Sequence, residues 1–253
     1  MNTAAYLARL GLTEADVAQD AYFLCKLQYA HVTCVPYENL DITDGIPLSL
    51  DAEALFEKLV TRGRGGYCFE VNGALCALLT ALGFTVKSRL ARFWRGETAI
   101  PMRRHRVLIV SLPDGDYLCD VGIGQSAPRH PLKLSEGLEQ AQFGEVYCIR
   151  KDAQWGHMVY DLHEGEWRAF YSFGDEDEAE SDFIMPSFWC ERHPDSPFRK
   201  APMVAMKTEK GRLAINGHDY KEFEGDRLIY IEENVSDRRL EQLLRERFGI
   251  VRT

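Results

Sequence analysis

The chain has 253 residues, 45% of them hydrophobic and 27% charged, which suits a globular protein with a substantial buried core. Its net charge of −9 argues against nucleic acid or an anionic membrane as the main partner. No apolar run approaches the ~20 residues of a membrane span. The N-terminal "MNTAAYLARLGLTEADV" lacks the basic start and apolar stretch of an export signal, and seven cysteines without paired spacing suggest neither a disulfide framework nor a metal cluster; the expectation is a cytoplasmic protein with free thiols and no metal.

In chain order, the first third reads helical. Thr13 is placed to cap a helix carrying Val17, Phe23, Leu24 and Leu27, and Leu50-Asp51 opens another with Leu55, Phe56 and Leu59. Pro36 marks a boundary between them. From residue 84 the period becomes strand-like: "FTVKSRLARFW", "HRVLIVSL", "DYLCDVGI", "EVYCIRK" and "MVYDLHEGEWRAFYSF". Turns are expected at Pro113-Asp114-Gly115-Asp116 and at Glu164-Gly165. The acidic run "GDEDEAESD" (174–182) reads as a solvated loop without function. Two strand-like pieces follow, "PMVAMKT" and "GRLAING". A final helix is expected from about Asp237, with Ser236 as cap and Leu240, Leu243, Leu244 and Phe248 on one stripe. Helices, then strands, then a mixed tail make an α+β arrangement.

The stretch "RGRGGYCFEVNG" (62–73) sets a cysteine just after two glycines at the mouth of a helix that Gly83 stops. Gly65 and Gly66 allow a tight turn and the close approach of another molecule. Cys68 then falls in the first helical turn, where unpaired N–H groups and the helix dipole favour a thiolate, the setting of cysteines with pKa well below ~8.5. A buried cysteine acting as a small hydrophobe is the competing reading.

A nucleophilic cysteine needs a base, and the base an orienting group. His105 heads the apolar strand "RVLIV", and Asp120 lies among Leu118, Cys119, Val121 and Ile123, where an unpaired carboxylate is costly. Read singly, each is a satisfied polar group at a strand end; taken with Cys68 they form a Cys-His-Asp set. The register raises a difficulty. A turn at Asp114-Gly115 sets Asp120 opposite Ile109, about 13 Å along the strand from His105. A triad then requires a bulge, a longer loop or strand twist.

Taken together, "VPYENL" (35–40), "RGRGGYCFEVNG" (62–73), "HRVLIV" (105–110), "DVGIG" (120–124) and "HPDSPF" (193–198) resemble the arylamine N-acetyltransferase family, especially its bacterial members. The resemblance spans nearly the whole chain. It implies a helical bundle over residues 1–83 that carries the nucleophile, an antiparallel β-barrel-like domain over 84–185 that carries the histidine and aspartate, and an α/β lid over 186–253. The core is expected to be like that of papain-type proteases and transglutaminases. The implied triad is Cys68, His105 and Asp120. For coenzyme A the matching positions are Met102, Arg104, Gly124, Trp94 and Phe198; for the acyl acceptor they are Tyr37 and Ile123. Packing readings stand beside these for Tyr37, Trp94 and Phe198, and a solvated reading for Arg104. Ile123 stands where the family commonly has Phe.

The implied activity is transfer of acetyl from acetyl-coenzyme A to an arylamine, arylhydrazine or related amine, by a ping-pong route through an acetyl-Cys68 thioester. The rivals are an amide synthase of an antibiotic pathway, a cysteine hydrolase or transglutaminase-like enzyme, and a binding protein with an inert Cys68.

Overall fold

The structure is a computed structural model describing residues 1–252. Helix α1 (Thr3–Arg9) starts from Asn2, whose side chain accepts the Ala5 N–H. Thr13 does not open the next helix. It exchanges hydrogen bonds with Asp16 around a single 3₁₀ turn, Glu14–Asp16, and Val17 is extended. Helix α2 (Ala21–Cys34) begins instead from Asp20, which accepts the Phe23 N–H at 2.8 Å, so Val17 lies outside it. The local pairing of Thr13 with Asp16 closes off the first turn before a helix can propagate. Strand β1 (Tyr37–Glu38) and the short helix α3 (Leu40–Thr43) follow Pro36. Asp51 caps α4 (Ala52–Phe56), which runs on as a π-helical turn, Glu57–Thr61. Helix α5 (Cys68–Ala81) buries Phe69, Val71, Ala74, Leu75, Leu78 and Leu79, and Gly83 ends it at φ +87°.

Eight antiparallel strands form the central sheet: β2 (Thr85–Phe93), β3 (Arg103–Leu112), β4 (Gly115–Cys119), β5 (Leu132–Lys133), β6 (Glu139–Gln142), β7 (Glu145–Asp152), β8 (Gly156–His163) and β9 (Glu166–Phe173). Their order is β5-β4-β3-β2-β9-β8-β7-β6, and the sheet curls into a nearly closed barrel. At Glu164-Gly165 both residues have positive φ, +52° and +83°, the backbone that a tight hairpin demands.

The β3–β4 turn differs from the expected one. Leu112 faces Gly115, so Pro113-Asp114 make the turn. The register Leu108–Cys119, Ile109–Leu118 carried one step further brings Asp120 level with Val107, two positions nearer His105. The turn sits one residue earlier because Pro113 supplies the first turn position and Asp114 the second, where its carboxylate accepts from the Tyr117 hydroxyl at 2.6 Å.

A second sheet, ordered β1-β10-β11-β12-β13, pairs β1 with β10 (Met203–Lys207), followed by β11 (Gly211–Asn216), β12 (Asp219–Glu224) and β13 (Arg227–Glu232). The final helix α7 (Asp237–Phe248) lays Leu240, Leu243, Leu244 and Phe248 on Val204, Leu213, Ile215 and Tyr220. Ser236 caps it by accepting the Arg239 N–H.

Between β9 and β10 in the chain comes α6 (Ile184–Arg192), preceded by the acidic run. That run is not a free solvated loop. Asp177 pairs with Lys87 and Arg89, Glu178 with Arg103, and Glu180 with Arg106. The expectation of a solvated loop fails because these acidic side chains meet basic ones that β2 and β3 hold in place. Glu178 is itself buried, and desolvation holds its carboxyl above the usual range.

Candidate active site

The "VPYENL" and "RGRGGYCFE" segments pack against one another, which accounts for the two glycines. A Cβ on Gly65 would fall 2.0 Å from the Pro36 carbonyl oxygen, and one on Gly66 would lie 2.8 Å from Glu70 Cβ. The close approach that these glycines permit is therefore to the chain itself. Beneath them runs a buried ionic chain. Arg64 donates to Glu38 at 3.0 and 2.8 Å and to Asp41 at 2.8 Å; Lys58 bridges Asp41 at 2.8 Å and Glu70 at 2.7 Å. Glu70 also accepts the Tyr67 N–H at 3.1 Å and so caps α5 at the residue before Cys68.

Cys68 is 3% exposed and opens onto a cavity of about 250 Å³ that His105, Arg104, Tyr37, Ile123 and Phe198 also line. His105 Nε2 lies 2.6 Å from Asp120 Oδ2, and His105 Nδ1 makes no protein hydrogen bond among the described residues. A carboxylate only accepts, so Nε2 carries the proton of this bond, which in the neutral ring leaves the lone pair on Nδ1. Two features close the distance that the register left open. Asp120 lies just past the end of β4, free of the ladder, and β3 inserts Arg104 as an extra residue between the partners of Ala91 and Arg92. Such a bulge re-aims the side chain beside it.

The other Asp120 oxygen, Oδ1, accepts from Asn72 Nδ2 at 2.9 Å and from the Gly122 N–H at 2.8 Å. Asn72 Nδ2 also donates to the Arg106 carbonyl at 2.6 Å, and its Oδ1 accepts the Val121 N–H at 3.0 Å. Gln28, from α2, accepts the Asp120 N–H at 3.3 Å. Gly122 is pressed against Cys68. Sequence reasoning passed over Asn72, Gln28 and Gly122. A signal existed for Asn72, which stands four residues after Cys68 and so shares a helix face with it. For Gln28, 92 residues from Asp120, there was none.

Burial pushes the Cys68 thiol well up, with Cys190 and Asp120 adding to the rise and the backbone N–H groups of Arg106 and Phe69 opposing it. The sequence reading of a thiol lowered by its helix terminus is thus corrected: in this enclosed position desolvation outweighs the helix end. The unbonded nitrogen of His105 lines the same cavity as the thiol.

The remaining expected ligand positions separate into two groups. Arg104 stands at the cavity, its guanidinium 2.9 Å from Glu97. Phe198 lines the cavity and packs edge-on against Tyr67 with ring centroids 5.7 Å apart. Gly124 lies just behind the lining: its φ is +61° and a Cβ there would sit 3.1 Å from the Tyr37 ring. Met102 and Trp94 are not brought to the cavity. Met102 is half-exposed, and Trp94 donates to Ser172 Oγ at 2.8 Å with its ring against Trp155. Arg95 lines the cavity in addition, paired with Asp161 at 2.5 Å.

A family model described as N-acetyltransferase matches residues 21–252. The chain is 37% identical over 225 residues to the arylamine N-acetyltransferase of Mycolicibacterium smegmatis, covering 87% of this chain and 81% of that one. The chain belongs to the arylamine N-acetyltransferase family. Its arylamine N-acetyltransferase relative in Escherichia coli K12 is 31% identical over 249 residues, 97% of this chain and 87% of the relative. Among solved structures, the arylamine N-acetyltransferase of Salmonella typhimurium superposes with a TM-score of 0.93 at 30% identity, over 99% of this chain and 92% of that one. The Mycobacterium marinum arylamine N-acetyltransferase in complex with CoA superposes at 0.91 and 30% identity, over 98% and 93%. The N-acetyltransferase fold and its α+β class are therefore those of this chain. No helix among the described residues is long and apolar enough to cross a membrane.

Proposed function

We infer that this protein transfers acetyl from acetyl-coenzyme A to arylamines, arylhydrazines or related amines, with Cys68 as the acetyl carrier. The observation that carries this reading is the meeting of Cys68 and His105 at one cavity, with His105 Nε2 bonded to Asp120 at 2.6 Å. Family membership, the names of the relatives and the CoA complex of a structural neighbour support the choice of donor and acceptor.

In this reading His105 Nδ1 takes the Cys68 proton, and the sulfur attacks the thioester carbonyl of the donor. The C–S bond to coenzyme A breaks, and its thiolate leaves with the proton from His105. The amine then attacks acetyl-Cys68, His105 removing a proton from the nitrogen and returning one to the sulfur. Asp120 holds the imidazole in the required tautomer and stabilises its cation. Backbone N–H groups around Cys68 offer the developing oxyanion its donors. The cavity suits the substrates it is assigned: Tyr37, Phe93, Ile123 and Phe198 give an aromatic amine an apolar wall, and the guanidinium of Arg104 meets an anionic donor at the rim. Arg104 and Phe198 would hold coenzyme A, and Tyr37 and Ile123 the acceptor.

Intact-mass measurement after acetyl-coenzyme A alone tests the proposal. One added acetyl group is expected, together with its absence from Cys68→Ala. Equal acetylation of the variant, or none on the wild type, overturns it.

A further inference from the structure

Strand β13, "RLIYIE", is the outermost strand of the second sheet, with β12 on one side and no strand on the other. Its four central residues are all large, hydrophobic and exposed: Leu228 45%, Ile229 51%, Tyr230 47% and Ile231 39%. None of them joins the core that α7 makes with β10 to β12. No other four consecutive large hydrophobic residues are exposed among the described residues. A bare apolar edge of this kind invites another strand, and proteins that stay monomeric blunt it with charge or proline. Here the charges stand only at the two ends, Arg227 and Glu232, and their signs are opposite.

We propose that β13 pairs antiparallel with β13 of a second copy about a two-fold axis, joining the two five-stranded sheets into one. The register sets Arg227 of one copy opposite Glu232 of the other, Leu228 opposite Ile231, and Ile229 opposite Tyr230. The two-fold repeats every pair, since in such a contact each surface is its own complement. Opposite charges, paired aliphatics and an aromatic beside a β-branched residue are all favourable cross-strand neighbours. Sliding by two residues either way breaks both ion pairs. Within one copy Arg227 meets Glu224 at 2.7 Å and yet stays 73% exposed, and Glu232 meets Arg239 at 2.7 Å.

The backbone agrees with this register. Glu224 and Arg227 close the two-residue turn Gly225-Asp226, and Ile229 is an extra residue, because Phe223 faces Leu228 while Glu222 faces Tyr230. Backbone groups along an antiparallel ladder point inward and outward by turns. Counted from the closing pair, whose groups bond across the turn, Tyr230 and Glu232 point toward β12 with Arg227, and Leu228 and Ile231 point away. Setting Leu228 opposite Ile231 therefore brings outward groups to outward groups. Without the extra step at Ile229 the two would point to opposite sides. A six-residue edge is short, so a reversible dimer is expected. β13 gives no residue to the Cys68 cavity, and the dimer stands apart from the proposed function.

The experiment is sedimentation velocity over a concentration series up to about 1 mM, where even a weak dimer forms, beside melting curves. The wild-type mass should climb reversibly from 28.9 kDa and level off at twice that value. Arg227→Glu and Glu232→Arg should each weaken the dimer about tenfold or more, since each sets like charges together at two places. An equimolar mixture of these two variants should dimerise again, because each supplies the charge that the other lacks. Ile229→Lys, at an exposed position, should abolish the dimer and keep the melting temperature. A wild type that stays at 28.9 kDa throughout overturns the proposal, as does a mass that passes twice that value without levelling. So does a dimer that Ile229→Lys leaves intact, or a mixture of two normally melting charge variants that stays monomeric. If a charge variant melts early, Ile229→Lys alone decides.

Discussion

Gly122 stands so close to Cys68 that a Cβ on it would lie 2.7 Å from the Cys68 Cα and 2.7 Å from Asn72 Nδ2. Both neighbours belong to a buried helix start and cannot retreat cheaply. Gly122→Ala should therefore displace Cys68 from His105, at an overpacking cost of ~1–3 kcal/mol. The expected outcome is a lowered melting temperature and acetyl-Cys68 formation slowed at least about tenfold, since ~1.4 kcal/mol is one decade. Wild-type values for both would show that the loop yields.

Asp120 and Asn72 should separate by magnitude. Asp120→Asn removes the acceptor that fixes the His105 tautomer, a change that costs ~10⁴ in a protease triad. Asn72→Ala leaves His105 bonded to Asp120 but takes one donor from Asp120 Oδ1 and one from the Arg106 carbonyl. About 10- to 100-fold is expected, at ~1–3 kcal/mol for such a loss. Single-turnover acetylation measures both; a larger effect from Asn72→Ala than from Asp120→Asn would reverse their assigned roles.

Ile123 faces the cavity on one side and packs against the helical and barrel cores on the other. Ile123→Phe should change the ranking of bulky against small arylamines by up to about tenfold, the worth of one aromatic pair. Acetyl-Cys68 formation should stay within a few-fold, because the amine arrives after it. A lowered melting temperature with an unchanged ranking would make Ile123 a packing residue alone.

The fold itself should weaken in acid through His31. Burial, with the Arg9 charge adding, holds this histidine down to about 3, and its Nε2 shares a hydrogen bond with the Tyr6 hydroxyl at 3.0 Å. In the unfolded chain it takes a proton near 6.5, so below that pH the unfolded state binds more protons. Its contribution is complete above about 6.5 and is lost as pH falls toward about 3, at up to ~1.4 kcal/mol per pH unit. His31→Gln should flatten the melting temperature against pH over this window. Parallel curves for the two proteins would remove His31 as the cause.

Much of this was legible in the chain. Strand-like runs became β2, β3 and β7 to β9; in β3 Val107 and Ile109 face the barrel core while Leu108 and Val110 face the helical one. The α7 stripe was plain at helical spacing. The polar strands β6 and β12 were missed, since Glu139–Gln142 and Asp219–Glu224 carry little apolar alternation and pair because the turns bring them together; β13, apolar over Leu228–Ile231, was passed over as well. Thr13 misled because two local caps, Thr13 and Asp20, compete within a few residues, and side-chain geometry chose between them.

The sequence alone pointed to the order of helices before strands through local spacing, to the family through the resemblance of its motifs, and to Cys68, His105 and Asp120 as candidates through both. Tertiary structure decided how the three residues meet: a turn at Pro113-Asp114, an extra residue at Arg104, and the clamp of Asn72 and Gly122 on Asp120. It also decided that Cys68 is buried, so that desolvation raises its thiol, and that the acidic run lies against β2 and β3. Desolvation and register depend on which residues surround a group from every side, and Gln28 reaches Asp120 from 92 residues away along the chain.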